Sequence, residues 1–148
     1  MTQARLTRWS RPSDLARSVF RVVARDVVDY ALQRRAALAD LRIGRRTVLE
    51  VCDAHPHLKL AARHYGQLSG RPCPVCDGEK LCEVSYVYGE ELRTTAGQAK
   101  LPAELARMDE QYERFAVYAV EVCVDCGWNH LVRSFTLGND GLATATGG

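Results

Sequence analysis

The apolar residues near the start of the chain recur at helical spacing. Ser13 suits a helix N-cap, and apolar side chains follow at intervals of three and four until Gly44, a typical helix-ending residue. Arg17, Arg21 and Arg25 are four residues apart and would share the opposite side of that helix. The pattern predicts one long helix from Ser13, with an apolar face formed by Phe20, Val23, Val27, Tyr30, Leu38 and Leu41.

Two shorter helices are predicted before residue 67. Thr47 followed by Glu50 is a capping-box arrangement that begins a short helix. Pro56 suits the first turn of the next helix, which Gly66 would end. The sequence therefore predicts a helical unit of about three helices over residues 14–66, preceded by a mobile basic arm at residues 1–13.

After residue 72 the period of the pattern changes from helical to alternating. Cys82 to Tyr88 alternates as a strand does, and two further strands are predicted at Val117 to Cys123 and Trp128 to Leu137. Residues 89–100 have a loop-like composition, and a helix is predicted after Pro102. The fold class is therefore α+β: the N-terminal helical unit is followed at residues 72–138 by a zinc-ribbon-like antiparallel β domain with an inserted helix, and then by a flexible tail at residues 139–148.

Four of the six cysteines form two Cys-x-x-Cys pairs, and these carry the strongest chemical signal in the sequence. Two such turns next to predicted strands supply four thiolates, the ligand set of a structural zinc site. The other two, Cys52 and Cys82, are interpreted as small buried hydrophobic residues. The predicted ligands of one Zn²⁺ are Cys73, Cys76, Cys123 and Cys126.

Other chemistries fit the cysteines less well. A thioredoxin-like pair would begin a helix, and a zinc deaminase would need His-x-Glu before its cysteine pair; neither pattern occurs. Three histidines near Cys52 are scattered by the helix break at Pro56, so a second metal site is disfavoured. Four thiolates leave zinc no open position, which predicts a structural site, no small-molecule substrate and no enzymatic activity. The three histidines are His55, His57 and His64.

The net charge of +2 conceals opposite charges in the two halves. Residues 1–72 hold 14 basic and 6 acidic residues, whereas residues 73–148 hold 6 basic and 12 acidic residues. Arginine suits phosphate, so the front half is a candidate surface for nucleic acid or a partner, although the same arginines can equally be a solvated face. The candidate residues are Arg17, Arg21, Arg25, Arg34, Arg35, Arg42, Arg45 and Arg46.

Composition and hydropathy place the chain among globular proteins. Hydrophobic residues make up 47% and charged residues 26%, which argues against extensive disorder. The longest apolar run extends only from Phe115 to Val120, too short for a membrane span. The arginine-containing N-terminus has no apolar signal region, so we expect a cytoplasmic protein that does not engage membranes.

The chain resembles a family of short actinobacterial proteins of unknown function. The resemblance covers about residues 22–138 and is carried by Val28 to Arg35, Val51 to Ala54, the first cysteine pair and, most densely, Val120 to Ser134. It implies an actinobacterial source, a cytosolic location and a zinc-ribbon-like C-terminal half. It implies no activity, substrate or catalytic residue.

Two function classes follow from the zinc site and the charge pattern. The first is a non-enzymatic accessory protein that binds nucleic acid, or a nucleic-acid machine such as RNA polymerase or the ribosome, through its arginine-rich helical face. The alternative is a cytosolic protein–protein adaptor that does not contact nucleic acid. Nucleic acid that co-purifies at low salt would favour the first, and nuclease-resistant protein partners would favour the second.

Overall fold

The computed structural model describes residues 22–140, in which one antiparallel sheet is covered by helices on both faces. The α+β class with an antiparallel sheet and a few helices is thereby confirmed. In chain order the elements are β1 (Arg25–Asp29), α1 (Ala31–Arg42), α2 (Val48–Val51), α3 (Pro56–Tyr65), β2 (Gln67–Leu68), β3 (Leu81–Tyr88), a 3-10 helix (Glu90–Thr95), β4 (Ala99–Lys100), α4 (Pro102–Gln111), β5 (Phe115–Cys123) and β6 (Asn129–Leu137).

The strands are arranged in the order β1-β6-β5-β3, and the two-residue strands β2 and β4 both pair with β3. The central pairing of β3 with β5 runs from Leu81 opposite Cys123 to Tyr88 opposite Ala116. Every pair is antiparallel. The register brings the start of β3 and the end of β5 to the same end of the sheet, where both cysteine pairs lie.

The prediction of one long helix from Ser13 is wrong at residues 25–29. These residues form the edge strand β1, which pairs with β6. The helix begins only at Ala31, whose backbone N–H donates to Asp29 Oδ1 at 2.7 Å. The β-branched Val27 and Val28 favour a strand once β6 offers a partner, because tertiary pairing overrides weak local preferences. The predicted arm, Arg17, Arg21 and the tail beyond residue 140 lie outside the described residues.

The later elements follow their local sequence signals. The capping box of Thr47 and Glu50 begins α2, and Pro56 and Pro102 occupy the first turns of α3 and α4. The segment predicted as loop at residues 89–100 contains the 3-10 helix and β4. Phe115, which continues the helical spacing of α4 in the sequence, belongs to β5 instead.

Within residues 22–140 the buried side chains form three clusters, and the clusters connect the two halves of the sequence. On one face of the sheet, α1 and α2 contribute Ala37, Leu38 and Val51 to a cluster that also contains Leu81 and Trp128. These contacts cross the boundary predicted at residues 67–72. A second cluster lies under α4, and a third lies on the opposite sheet face under α3. In residues 22–140 no helix is both long and apolar enough to span a membrane.

Candidate metal centre

Two tight turns bring the paired cysteines together at one end of the sheet. Cys73 and Cys76 lie in the turn between β2 and β3, while Cys123 is the last residue of β5 and Cys126 lies in the turn before β6. Because Cys123 is paired with Leu81 at the start of β3, both turns project from the same end of the sheet. Strand pairing thus brings the two cysteine pairs together although 46 residues separate them in the sequence.

The four sulfur atoms have the spacing of metal ligands. The Sγ atoms of Cys73 and Cys126 are 3.6 Å apart, and those of Cys76 and Cys123 are 3.7 Å apart. All four Sγ atoms lie within 4.8 Å of one another. A disulfide would need about 2.05 Å, whereas ligands 2.3 Å from a tetrahedral zinc ion are about 3.8 Å apart. The four cysteines therefore form a site that can hold a metal ion.

Backbone amide groups surround the sulfur atoms. The Sγ of Cys73 accepts from the N–H groups of Val75 at 3.4 Å and Cys76 at 3.5 Å. In the second turn, the Sγ of Cys126 accepts from the N–H of Trp128 at 3.4 Å. Such donors stabilise negative charge on sulfur, as a metal-bound thiolate requires.

The surroundings of Cys73, Cys123 and Cys126 shift the pKa values of these thiols in different directions. Burial raises the pKa of Cys73 to about 12 and that of Cys126 to about 12. Burial also acts on Cys123, but hydrogen bonds from the N–H groups of Cys126 and Asp125 and from the thiols of Cys76 and Cys126 outweigh it and lower the pKa. Cys123 is thus made more acidic than an ordinary thiol, and a cation would have to displace protons from Cys73 and Cys126.

Gly127 allows the second turn to approach the segment after α2. Its φ is +93°, and an added Cβ would lie 2.8 Å from the carbonyl oxygen of Cys52. The Gly127 carbonyl also accepts a hydrogen bond from the N–H of Ala54 at 3.0 Å. Only glycine meets both the backbone conformation and the close approach.

Cys52 is a fifth thiol at the site, which the sequence analysis did not anticipate. Its Sγ donates to the Sγ of Cys126 at 3.7 Å, yet it does not belong to the group of four mutually close sulfurs. Sequence spacing gives no sign of this placement, because Cys52 directly follows α2 and reaches the site only through packing. Cys82 lies in the cluster on the opposite face of the sheet.

Glu121 is a second structural residue that sequence reasoning missed. Its side chain is fully buried, and its Oε2 accepts from Trp128 Nε1 at 2.6 Å and from Arg34 Nε at 2.6 Å. Arg71 lies 3.8 Å from Oε1. This buried carboxylate links α1 to the residue that follows the second cysteine turn.

The predicted arginine surface is divided by the fold. Arg25 forms an ion pair with Asp140 at 2.8 Å, and Arg34 is engaged with Glu121. Arg45 lies 3.8 Å from Asp40 Oδ1. Among the described members, those that remain exposed are on α1 and in the turn after it: Arg35, Arg42, Arg45 and Arg46.

The histidines do not join the sulfur cluster among the described residues. His55 Nδ1 accepts from the N–H of His57 at 3.0 Å and so caps α3. His130 stacks on Trp128 with ring centroids 5.9 Å apart.

Comparison with known sequences connects this chain to one family. The family of unknown function DUF5318 matches residues 21–147. The chain belongs to this family. Uncharacterized proteins Mb0050 of Mycobacterium bovis and Rv0049 of Mycobacterium tuberculosis are each 47% identical over 111 residues, covering 75% of this chain and 81% of each relative. No solved structure gives a significant match. The resemblance to an actinobacterial family of unknown function is confirmed.

Proposed function

We propose that this protein is a non-enzymatic, structural-zinc protein in which one Zn²⁺ is held by Cys73, Cys76, Cys123 and Cys126. The observation that carries the proposal is the spacing of 3.6 and 3.7 Å between sulfurs of opposite pairs, close to the edge of a zinc–thiolate tetrahedron. Two cysteine turns next to strands are also the arrangement of a zinc ribbon. A reducing compartment such as the cytoplasm would keep these thiols available.

A structural role for the ion is supported by its complete ligand set. Four protein thiolates occupy all four positions of tetrahedral zinc, so neither water nor substrate can reach the metal. The side chains around the site include the apolar residues Leu38, Val51 and Leu81. Zinc would therefore join β3, β5 and the two turns, and its binding free energy would contribute to folding.

The direct test of the structural role is metal removal. We expect a strong chelator, or Cys126→Ala, to abolish cooperative unfolding of the β-sheet followed by circular dichroism. The matched control is Cys82→Ala, which removes a buried thiol from the opposite face and should leave zinc content unchanged. A sheet that unfolds identically with and without chelator would reject the proposal.

The proposed partner class is nucleic acid or a nucleic-acid machine such as RNA polymerase or the ribosome. Its support is the exposed cluster of Arg42, Arg45 and Arg46 at the end of α1, because arginine side chains pair well with phosphate. Each phosphate contact contributes roughly −0.7 to −0.9 to the slope of log affinity against log salt. Reversing the three arginines to glutamate should flatten that slope without releasing zinc. A salt-independent interaction with a protein partner would favour the adaptor alternative.

A further inference from the structure

An open groove lined by tyrosines lies on the sheet face that α3 covers only in part. The groove has a volume of about 770 Å³. Its aromatic wall consists of Tyr86, Tyr88 and Tyr118, and its remaining lining is Leu58, Val120, Leu131 and Asn129. The groove is separate from the metal centre, whose Cys73 and Cys123 pack with residues of the opposite sheet face.

Strand register explains why the rings assemble here. Tyr86 on β3 is directly paired with Tyr118 on β5, and Tyr88 lies two residues further along the same face. The rings of Tyr88 and Tyr118 meet edge to face with centroids 5.4 Å apart. Closer to the metal end, Val84 and Val122 on this face are fully buried in the cluster that contains Ala62 of α3, whereas Tyr88 is 46% exposed.

The groove offers flat rings and hydrogen-bonding groups but no charged side chain in its lining. Burial, together with the neighbouring Tyr88, raises the pKa of Tyr86, so this phenol stays neutral at physiological pH. The Asn129 amide N–H groups donate to Asp53 Oδ1 at 3.0 Å and to the Gly127 carbonyl at 3.1 Å. The Asn129 side-chain oxygen is therefore the atom left to accept a hydrogen bond. A neutral, planar heterocycle fits such a lining better than a charged group does.

The helix bordering the groove is positively charged. Leu58 of α3 lines the groove, and the same helix carries Lys59 and Arg63 without any acidic residue. No Asp or Glu occurs in residues 54–76. The acidic side chain in contact with the lining is Asp53, which accepts from the Asn129 amide, whereas the charged side chains of the neighbouring helix are cationic. Uncharged aromatic rings next to a cationic helix are a combination that single-stranded nucleic acids bind, with bases on the rings and phosphates along the cations.

We propose that this groove binds single-stranded nucleic acid, with bases stacked on Tyr88 and Tyr118 and the phosphate backbone beside α3. Duplexes are disfavoured, because their bases are already stacked inside the helix and cannot lie flat on a sheet surface. The inference rests on the proposed association with nucleic acid and assigns it a second surface, distinct from the arginine cluster at Arg42–Arg46.

The test measures the affinity of the zinc-loaded full chain for labelled nucleic acids by fluorescence anisotropy at low salt. The probes are fluorescein-labelled 12-nucleotide oligouridylate and oligoadenylate, and a duplex DNA of the same length. We expect both RNAs to bind more tightly than the duplex. Tyr88→Leu and Tyr118→Leu should each weaken RNA binding about tenfold, since stacking on one ring is worth a factor of that order. Tyr88→Phe, which keeps the ring, should bind as the parent protein does.

The matched control is Tyr65→Leu, the same substitution at an exposed tyrosine of α3 outside the groove lining; it should leave affinity unchanged. Zinc content and circular dichroism verify that each variant is folded, and Tyr88→Leu is the primary variant because that ring is the more exposed. Replacing Lys59 and Arg63 by alanine should make the salt slope shallower by about 0.7 for each phosphate that these side chains neutralise.

Three results would overturn the inference. RNA binding that survives Tyr88→Leu and Tyr118→Leu but is lost on reversal of Arg42, Arg45 and Arg46 rejects the groove while retaining the proposed association with nucleic acid. No binding of either RNA at low salt rejects both, and leaves the zinc proposal to its own metal analysis. Tyrosine-dependent binding of a proline-rich peptide without RNA binding would assign the groove to a protein partner.

Discussion

Removing the Arg34 side chain should destabilise the protein much more than removing its neighbour on α1. In Arg34→Ala the fully buried Glu121 carboxylate keeps its hydrogen bond from Trp128 Nε1 at 2.6 Å. Its remaining cationic partner is Arg71, whose guanidinium lies 3.8 Å from Oε1. Breaking a buried ion pair costs about 3–5 kcal/mol. The Arg34 side chain is itself 22% exposed, so we expect about 3 kcal/mol, the low end of that range.

The assay is denaturant or thermal unfolding at fixed zinc concentration, since any ligand of the native state shifts apparent stability. A loss of about 3 kcal/mol lowers the Tm of a domain of this size by roughly 10 °C. The matched control Arg35→Ala removes an exposed arginine and should change stability by less than about 0.5 kcal/mol.

A second substitution identifies the cause of the loss. In Arg34→Ala/Glu121→Gln the buried charge is gone while Trp128 keeps an oxygen acceptor, so the double variant should be more stable than Arg34→Ala alone. Equal effects of Arg34→Ala and Arg35→Ala, or further destabilisation in the double variant, would refute the reasoning. Either result would mean that the ion pair does not support this end of the sheet.

Three further predictions concern the metal centre. Cys52→Ala should retain one zinc per chain but lose it to a chelator about tenfold faster, the scale expected for a group that supports a metal ligand. The control Cys82→Ala should match the parent protein. Halved zinc stoichiometry in Cys52→Ala would make Cys52 a ligand. Gly127→Ala should cost more stability than Gly44→Ala, because both positions have positive φ but only Gly127 lacks space for a Cβ; equal losses would contradict this. Zinc binding at pH 7 should release at least two protons, measured with an indicator in weak buffer, because burial raises the pKa values of Cys73 and Cys126 to about 12. Affinity should therefore fall as the pH is lowered, and pH-independent binding would contradict the assignment.

Local sequence signals predicted those elements whose stability depends on nearby residues. The capping box at Thr47 and the prolines at 56 and 102 mark helix starts in both the sequence and the structure. Alternation likewise indicated β3, and the strands β5 and β6 were predicted on either side of the second cysteine pair. The cysteine pairs could be identified because the sequence spacing of two ligands within one turn is fixed and does not depend on the rest of the fold.

The remaining features depend on contacts between distant segments. Strand β1 forms because β6, more than 100 residues later, pairs with Arg25 and Val28, and the helical spacing of nearby apolar residues obscured it. Glu121 appears in the sequence as an ordinary polar position near the end of a predicted strand. Its burial follows from the placement of α1. Cys52 and the tyrosine groove likewise depend on where α2 and α3 pack, which the periodicity of their own sequences does not specify.

The most direct test of the central claim is X-ray absorption at the zinc edge of the purified, zinc-loaded protein. A site formed by Cys73, Cys76, Cys123 and Cys126 predicts four sulfur neighbours at about 2.3 Å and no nitrogen or oxygen ligand. A first shell containing nitrogen or oxygen, or protein that folds without taking up zinc, would contradict the account.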